Sequence, residues 1–275
     1  MTSIDRATQL SSALGVLRQH TVAALVTAAI LPFSGLSEAS AQGTTGASTP
    51  PVSGYLLVLG RTLDRPKLIR YSMTLPPIYA ASGGRYIASG RPGSGIRCIT
   101  GLCEGRSAVV AYWESASAVS EFWWGSAYRQ AVPLRDRAGV FTVVGLQGNA
   151  MTRSDAQPHP TPGAMLIALT SGDAIEPAVA AWLIAAQSAG ARSLVPYARS
   201  SVSPLEGDAL FDRTLMLSFA SPDVRDRFAD SVATKDFIRA GNVGTNMPLL
   251  ALIAIDAPPA MPPAAPASGS APSRP

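Results

Sequence analysis

The chain has 275 residues, a formal net charge of +4, 47% hydrophobic residues and 15% charged ones, the balance of a globular protein and not of a disordered one. Its two histidines are His20, in an apolar leader, and His159, in a proline-rich tether, which excludes Ser-His-Asp or Cys-His catalysis, His-ligated haem and the usual zinc site from the folded body. Arginine is frequent but scattered singly, without the clustered charge and interleaved aromatics of a nucleic-acid surface, and no cofactor is expected.

Arg6 and Arg18 precede the apolar run Thr21 to Phe33, which leads to the small-residue site Ala39-Ser40-Ala41, the pattern of an export signal. Pro32 and Ser34 interrupt the run before it reaches the roughly 20 apolar residues a membrane helix needs. Residues 1–41 are therefore expected to be removed, leaving a periplasmic or extracellular protein that no longer contacts the membrane. Residues 42–53 are Gly, Thr, Ser and Pro for the most part and read as a linker.

Residues 54–148 and 163–256 then read as one unit written twice, each strand, helix, strand, strand, helix, strand. The shared landmarks are an apolar opening strand (Tyr55 to Leu59, Met165 to Leu169), a Glu-Gly step (Glu104-Gly105, Glu206-Gly207) and a Phe-plus-Ser helix (Phe122 with Ser126, Phe228 with Ser231). In the first unit Asp64 is placed to cap a helix carrying Leu68, Tyr71, Leu75 and Ile78 at helical spacing; Pro76-Pro77 should kink it and Gly83-Gly84 end it. Val119, Phe122 and Trp123 form the stripe of a second helix, and a short helical segment from Ser126 to Arg137 should break near Pro133. In the second unit Val179, Trp182, Leu183 and Ala186 form the corresponding stripe, and Ser221-Pro222-Asp223 is a strong start for the last helix. The tether 149–162 holds Pro158, Pro160 and Pro162, and the tail 257–275 is almost wholly Pro, Ala, Ser and Gly, a composition that cannot offset its ordering entropy. The first unit carries eleven Lys plus Arg against five Asp plus Glu, the second seven against ten, so opposite charges favour packing of the two.

Gly54-Tyr55-Leu56, Gly83-Gly84-Arg85-Tyr86, Glu104-Gly105, Phe122 with Ser126 and Tyr128, and Leu134-Arg135 resemble, in order and spacing, the domain of unknown function 1330 family of the dimeric α/β-barrel group. The resemblance implies an α+β fold of two tandem ferredoxin-like domains, paired sheet to sheet as an intrachain dimeric α/β-barrel-like pseudo-dimer, hence a monomer. The second unit keeps only Ala189-Gly190-Ala191-Arg192 of the Gly-Gly-Arg-Tyr element and has no match for Tyr128, so any site is expected in the first.

Arg85, Ser126, Tyr128 and Arg135 are the candidate ligand-binding residues, because guanidinium groups can hold an anion bidentately while a phenol orients it. The bland alternative is that Ser126 caps a helix, Tyr128 packs, and the arginines pair with Glu104 or Asp136. Glu104 and Tyr128 are candidates for proton transfer, with a turn role open for Glu104. For Cys98 and Cys103 a disulfide, free thiols and redox or metal chemistry are all open, the disulfide being favoured by an oxidising compartment. Three functions follow: an exported binder of a small organic molecule, anionic if the arginines receive it; a cofactor-free monooxygenase or isomerase; or a structural pseudo-dimer without a working site. Mass spectrometry of the exported protein should find Gln42 as its first residue, and intact Met1 in the cytosol would refute the leader.

Overall fold

Strand β1 (Ser53–Thr62) is buried along nearly its whole length because both of its faces are covered: Tyr55, Leu57 and Leu59 point into one apolar cluster, Leu56 and Val58 into another. The computed structural model describes residues 52–151, 163–242 and 248–257. The export leader, nearly all of the linker 42–53, most of the tether and the tail after 257 lie outside the described residues.

Asp64 caps helix α1 (Arg65–Ala81), its carboxylate accepting from the Lys67 amide at 2.9 Å. The helix runs unbroken through Pro76 and Pro77. Those prolines deprive the carbonyls of Ser72 and Met73 of their donors, and both residues are exposed, so water can take the bonds. Gly83 ends the helix with φ 73°. Strand β2 (Arg85–Pro92) follows, then β3 (Gly95–Gly101), β4 (Ser107–Trp113), α2 (Ala116–Trp124), α3 (Ser126–Ala131) with a 3-10 turn at Val132–Arg135, and β5 (Gly139–Gly148). The second half repeats the series as β6 (Ala164–Thr170), α4 (Glu176–Ser188), β7 (Arg192–Val195), β8 (Val202–Glu206), β9 (Arg213–Phe219), α5 (Pro222–Ala229), α6 (Val232–Gly241) and β10 (Leu249–Asp256). The hydroxyl of Ser221 caps α5 and that of Ser231 caps α6.

The fold is mixed α+β around a curled ten-stranded sheet in the order β7-β9-β6-β10-β3-β2-β4-β1-β5-β8. One strand per half is additional to the expected pattern. The segment between the second and third strands of each unit, to which the expected pattern assigns no strand, forms β3 in one half and β8 in the other. Each leaves its own half to pair with the last strand of the opposite one, β3 on β10 and β8 on β5. The exchange is matched in detail. The β3 ladder shifts register between Leu252 and Ile253, the β8 ladder between Val143 and Val144. At the inner end of each arm a left-handed glycine, Gly101 (φ 88°) or Gly207 (φ 70°), lies so close that a Cβ would run into the carbonyl of Leu250 or Phe141. Gly101 and Gly207 are therefore counterparts, and the Glu-Gly step read as a shared landmark is not one: Glu206 stands where the first half has Thr100, and Glu104 sits in the turn beyond.

Three apolar clusters show why the sheet curls. The central one draws on both halves, with Tyr55, Leu57, Val110 and Val144 against Met165, Ile167, Met216 and Ile253. Each outer cluster packs one half's sheet on that half's helices, around Trp113 and Phe122 in the first and Trp182 and Phe228 in the second. Charge follows the arms: Arg97 of β3 reaches Asp226 at 3.2 Å and Asp230 at 3.0 Å on the second half, and Glu206 of β8 reaches Arg135 on the first. Cys98 and Cys103 form a disulfide, Cα atoms 5.4 Å apart, which ties the middle of β3 to a residue buried in the central cluster. Alanine at Gly101 or Gly207 combines a left-handed conformation with a backbone clash, and each substitution should cost about 2–4 kcal/mol in urea unfolding; a loss below about 1 kcal/mol at both would mean the arms are not closely docked.

Candidate functional site

A cavity of about 570 Å³ lies in the first half between the outer face of its sheet and α1, within the usual range for small-molecule sites. Alternation along the strands builds its floor: Val58 and Gly60 of β1, Val109 of β4, Phe141 and Val143 of β5 all face the same way. The roof comes from Leu68, Leu75 and Tyr79 of α1, one helix face at i, i+7 and i+11. The walls are largely apolar, and the polar groups are few and placed.

Tyr71 of α1 and Tyr128 of α3 meet hydroxyl to hydroxyl at 3.1 Å, Tyr71 donating, which leaves the Tyr128 proton free for another acceptor. The rings of Tyr79 and Tyr86 lie 4.5 Å apart, and both line the cavity. Burial pushes all four phenols above their ordinary titration range; hydrogen bonding by Arg135 partly offsets this at Tyr71 and Tyr128. They are neutral donors, not phenolates, at physiological pH.

Arg135, in the 3-10 turn, lines the cavity and is 8% exposed. Its two terminal nitrogens donate to the two carboxylate oxygens of Glu206 at 2.7 and 2.5 Å, the fork geometry that suits Arg to a carboxylate. The guanidinium also lies 4.9 Å from the Phe141 ring centroid and 5.7 Å from that of Tyr71. Burial works against its charge, but the Glu206 hydrogen bonds and the neighbouring phenols outweigh it and hold its pKa above the ordinary arginine value.

Of the residues singled out in the sequence, Tyr128 and Arg135 therefore meet in the cavity, and two others do not. Arg85 is the neighbour of Tyr86 on one strand, so the two side chains leave opposite faces of the sheet; Tyr86 takes the cavity side and Arg85 lies over the Tyr112 ring at 4.5 Å, 3.7 Å from Glu114. Ser126 is exposed at the first position of α3, where Gly125 is the cap residue. Glu104 is exposed on a turn and does not line the cavity. Arg135 pairs with Glu206, and neither Glu104 nor Asp136 takes that place. Sequence reasoning missed Tyr79 and Tyr86 as residues of the cavity and Glu206 as the partner of Arg135. The Gly-Gly-Arg-Tyr element did contain Tyr86, read as part of a motif and not as a donor. Among the described residues no cluster of three metal-ligating side chains occurs. In the second half Trp182 of α4 stacks on Phe237 of α6 at 4.5 Å.

Residues 53–149 match the model of the family described as "Domain of unknown function (DUF1330)". No curated protein matches the chain. Solved structures similar to it include an anthrone oxidase-like protein, 15% identical, with 74% of this chain and 91% of that one covered at a TM-score of 0.41. Another is chlorite dismutase from Candidatus Nitrospira defluvii in complex with imidazole, 8% identical, with 73% and 90% covered at 0.36.

The buried phenols bind their protons more tightly folded than unfolded, so their contribution to stability is complete below about pH 10 and is lost as pH rises above it. An alkaline titration should show tyrosinate absorbance from these side chains rising together with unfolding. A smooth titration near the free-phenol value in native protein would contradict the burial.

Proposed function

We propose, with the first half taken as a domain of this family, that the protein binds a small organic molecule in the cavity between α1 and the sheet, oriented by the Tyr128 hydroxyl. The observation that carries this reading is a roomy, largely apolar space into which a buried phenol has a proton to give. A binding role needs no more than that: apolar area supplies affinity, and one placed donor supplies orientation. Proton transfer would need a base at the cavity. Glu104 lies outside it and Tyr128 is held protonated, so binding is the function the geometry supports best.

The two halves are read as the fused counterpart of two ferredoxin-like chains paired sheet to sheet. The reciprocal arms, their matching register shifts and the shared central cluster support this, and a chain that supplies both sheets to itself is expected to be a monomer. The leader pattern, together with the Cys98–Cys103 disulfide, supports export to an oxidising compartment. Among the described residues no helix is long and apolar enough to cross a membrane.

A thermal-shift screen of small ring compounds tests the binding reading, since a ligand that binds only the native state raises the melting temperature. Val109→Phe, which fills the cavity from its floor, should abolish the shift of any true hit. Tyr128→Phe should weaken the same hit by roughly 2- to 10-fold, the worth of one neutral hydrogen bond. Hits that stabilise Val109→Phe as much as the parent protein would place binding elsewhere.

A further inference from the structure

We infer that Glu206, carried into the first half on the exchanged strand β8, is the residue that sets ligand class: by neutralising Arg135 it makes the cavity a receptor for uncharged molecules bearing a hydrogen-bond-accepting oxygen, and closes it to anions. The inference rests on the binding reading above and names the chemistry of the same site.

Arg135 is the one cation in the cavity wall that is buried. A lone guanidinium there would demand an anion, since burying an unpaired charge is costly. The fold supplies that anion itself. Both terminal nitrogens of Arg135 are engaged by the two oxygens of Glu206, so the pair presents no net charge to a ligand. A carboxylate entering beside it would displace Glu206 or lie against it, and like charges at short range in a poorly solvated space repel strongly.

Arg65 and Arg91 also border the cavity, but both are exposed, where solvent and salt screen their attraction. What the interior offers a ligand is phenolic protons, first that of Tyr128, whose oxygen already accepts from Tyr71, with the hydroxyl-bearing rings of Tyr79 and Tyr86 also on the lining. A neutral phenol is a good partner for a carbonyl, ether or hydroxyl oxygen. The rings of Tyr71, Tyr79, Tyr86 and Phe141 around it favour a flat apolar body on that oxygen.

Glu206 also has a feature of a residue placed for a purpose. Its counterpart on the other arm is Thr100, and the second half sends its acid into the first without a reciprocal acid going back. The first half therefore cannot complete its own site.

Three probes of one skeleton decide the matter by calorimetry at neutral pH: 2-acetylnaphthalene, 2-naphthoate and naphthalene. The parent protein should bind the ketone about ten-fold or more tightly than the carboxylate, and more tightly than the bare hydrocarbon. Glu206→Gln, which leaves Arg135 without its counter-charge, should reverse the order, with naphthoate gaining roughly ten-fold or more. Because that variant leaves a buried charge unpaired and can fail to fold, the charge-free double variant Arg135→Met, Glu206→Leu is measured beside it; it should keep the parent's preference for the ketone. Naphthoate binding the parent as tightly as the ketone, or folded Glu206→Gln keeping the parent's order, or the double variant gaining naphthoate, each overturns this inference and leaves the binding reading standing. Failure of all three probes to bind the parent overturns the binding reading and this inference with it.

Discussion

Each half of this protein makes a sheet with two apolar faces and helices for only one of them. That imbalance is the constraint on which the rest of the structure depends. The strands are too apolar to leave a face in water: β6 is buried at every position, and β1 alternates Tyr55, Leu57 and Leu59 on one side with Leu56 and Val58 on the other. The helices of each half cover the outer side. Only the other half can cover the inner one, and the shared central cluster is the result. Since the exposed edge of a sheet is a liability as well as an exposed face, each half also lends a strand to the other's last strand. Packing and hydrogen bonding thus join the halves by separate means.

The site is a by-product of the same arrangement. Close packing on the inner side fixes the sheet as a rigid floor, and α1 spans its outer side with a space left beneath it. In the second half Trp182 of α4 stacks on Phe237 of α6; in the first, Tyr79 and Phe122 pack ring against ring, and the cavity opens beside Tyr71, Tyr79 and Tyr128. The charged pair at its wall joins residues 71 positions apart in the chain, and its acid arrives on the strand that the opposite half lends.

Much of this was legible in the sequence, and the reason differs from element to element. The repeat, the opening strands and the helical stripes announce themselves because burial demands periodic apolar side chains. Asp64 and Ser221 were readable as caps because a helix start is a local event. The arms were not readable. Gly95 to Gly101 and Val202 to Glu206 hold Gly, Arg, Thr, Ser and Pro, and what makes them strands is a pairing partner in the opposite half. Tyr128 and Arg135, to which the resemblance pointed, line the cavity, while strand alternation turns Arg85 to the opposite face of the sheet, a matter of one residue of register. Glu206 was read as part of a repeated step, although its pairing with Arg135 is a contact that no local pattern encodes.

The exchanged strands have a consequence for how the chain comes into being. The first half is synthesised first, yet its inner sheet face, the outer edge of β5 and the counter-charge of Arg135 all await residues from the second. Until β6 and β8 to β10 emerge, the first half has an open hydrophobic face and an unpaired edge. Domains usually fold in the order they are made, but here the early half gains little by doing so. Its long-range pairings require loop closure before their contacts are gained, which slows assembly. A product truncated at the tether would expose what the halves otherwise hide, and quality control could recognise it by that surface.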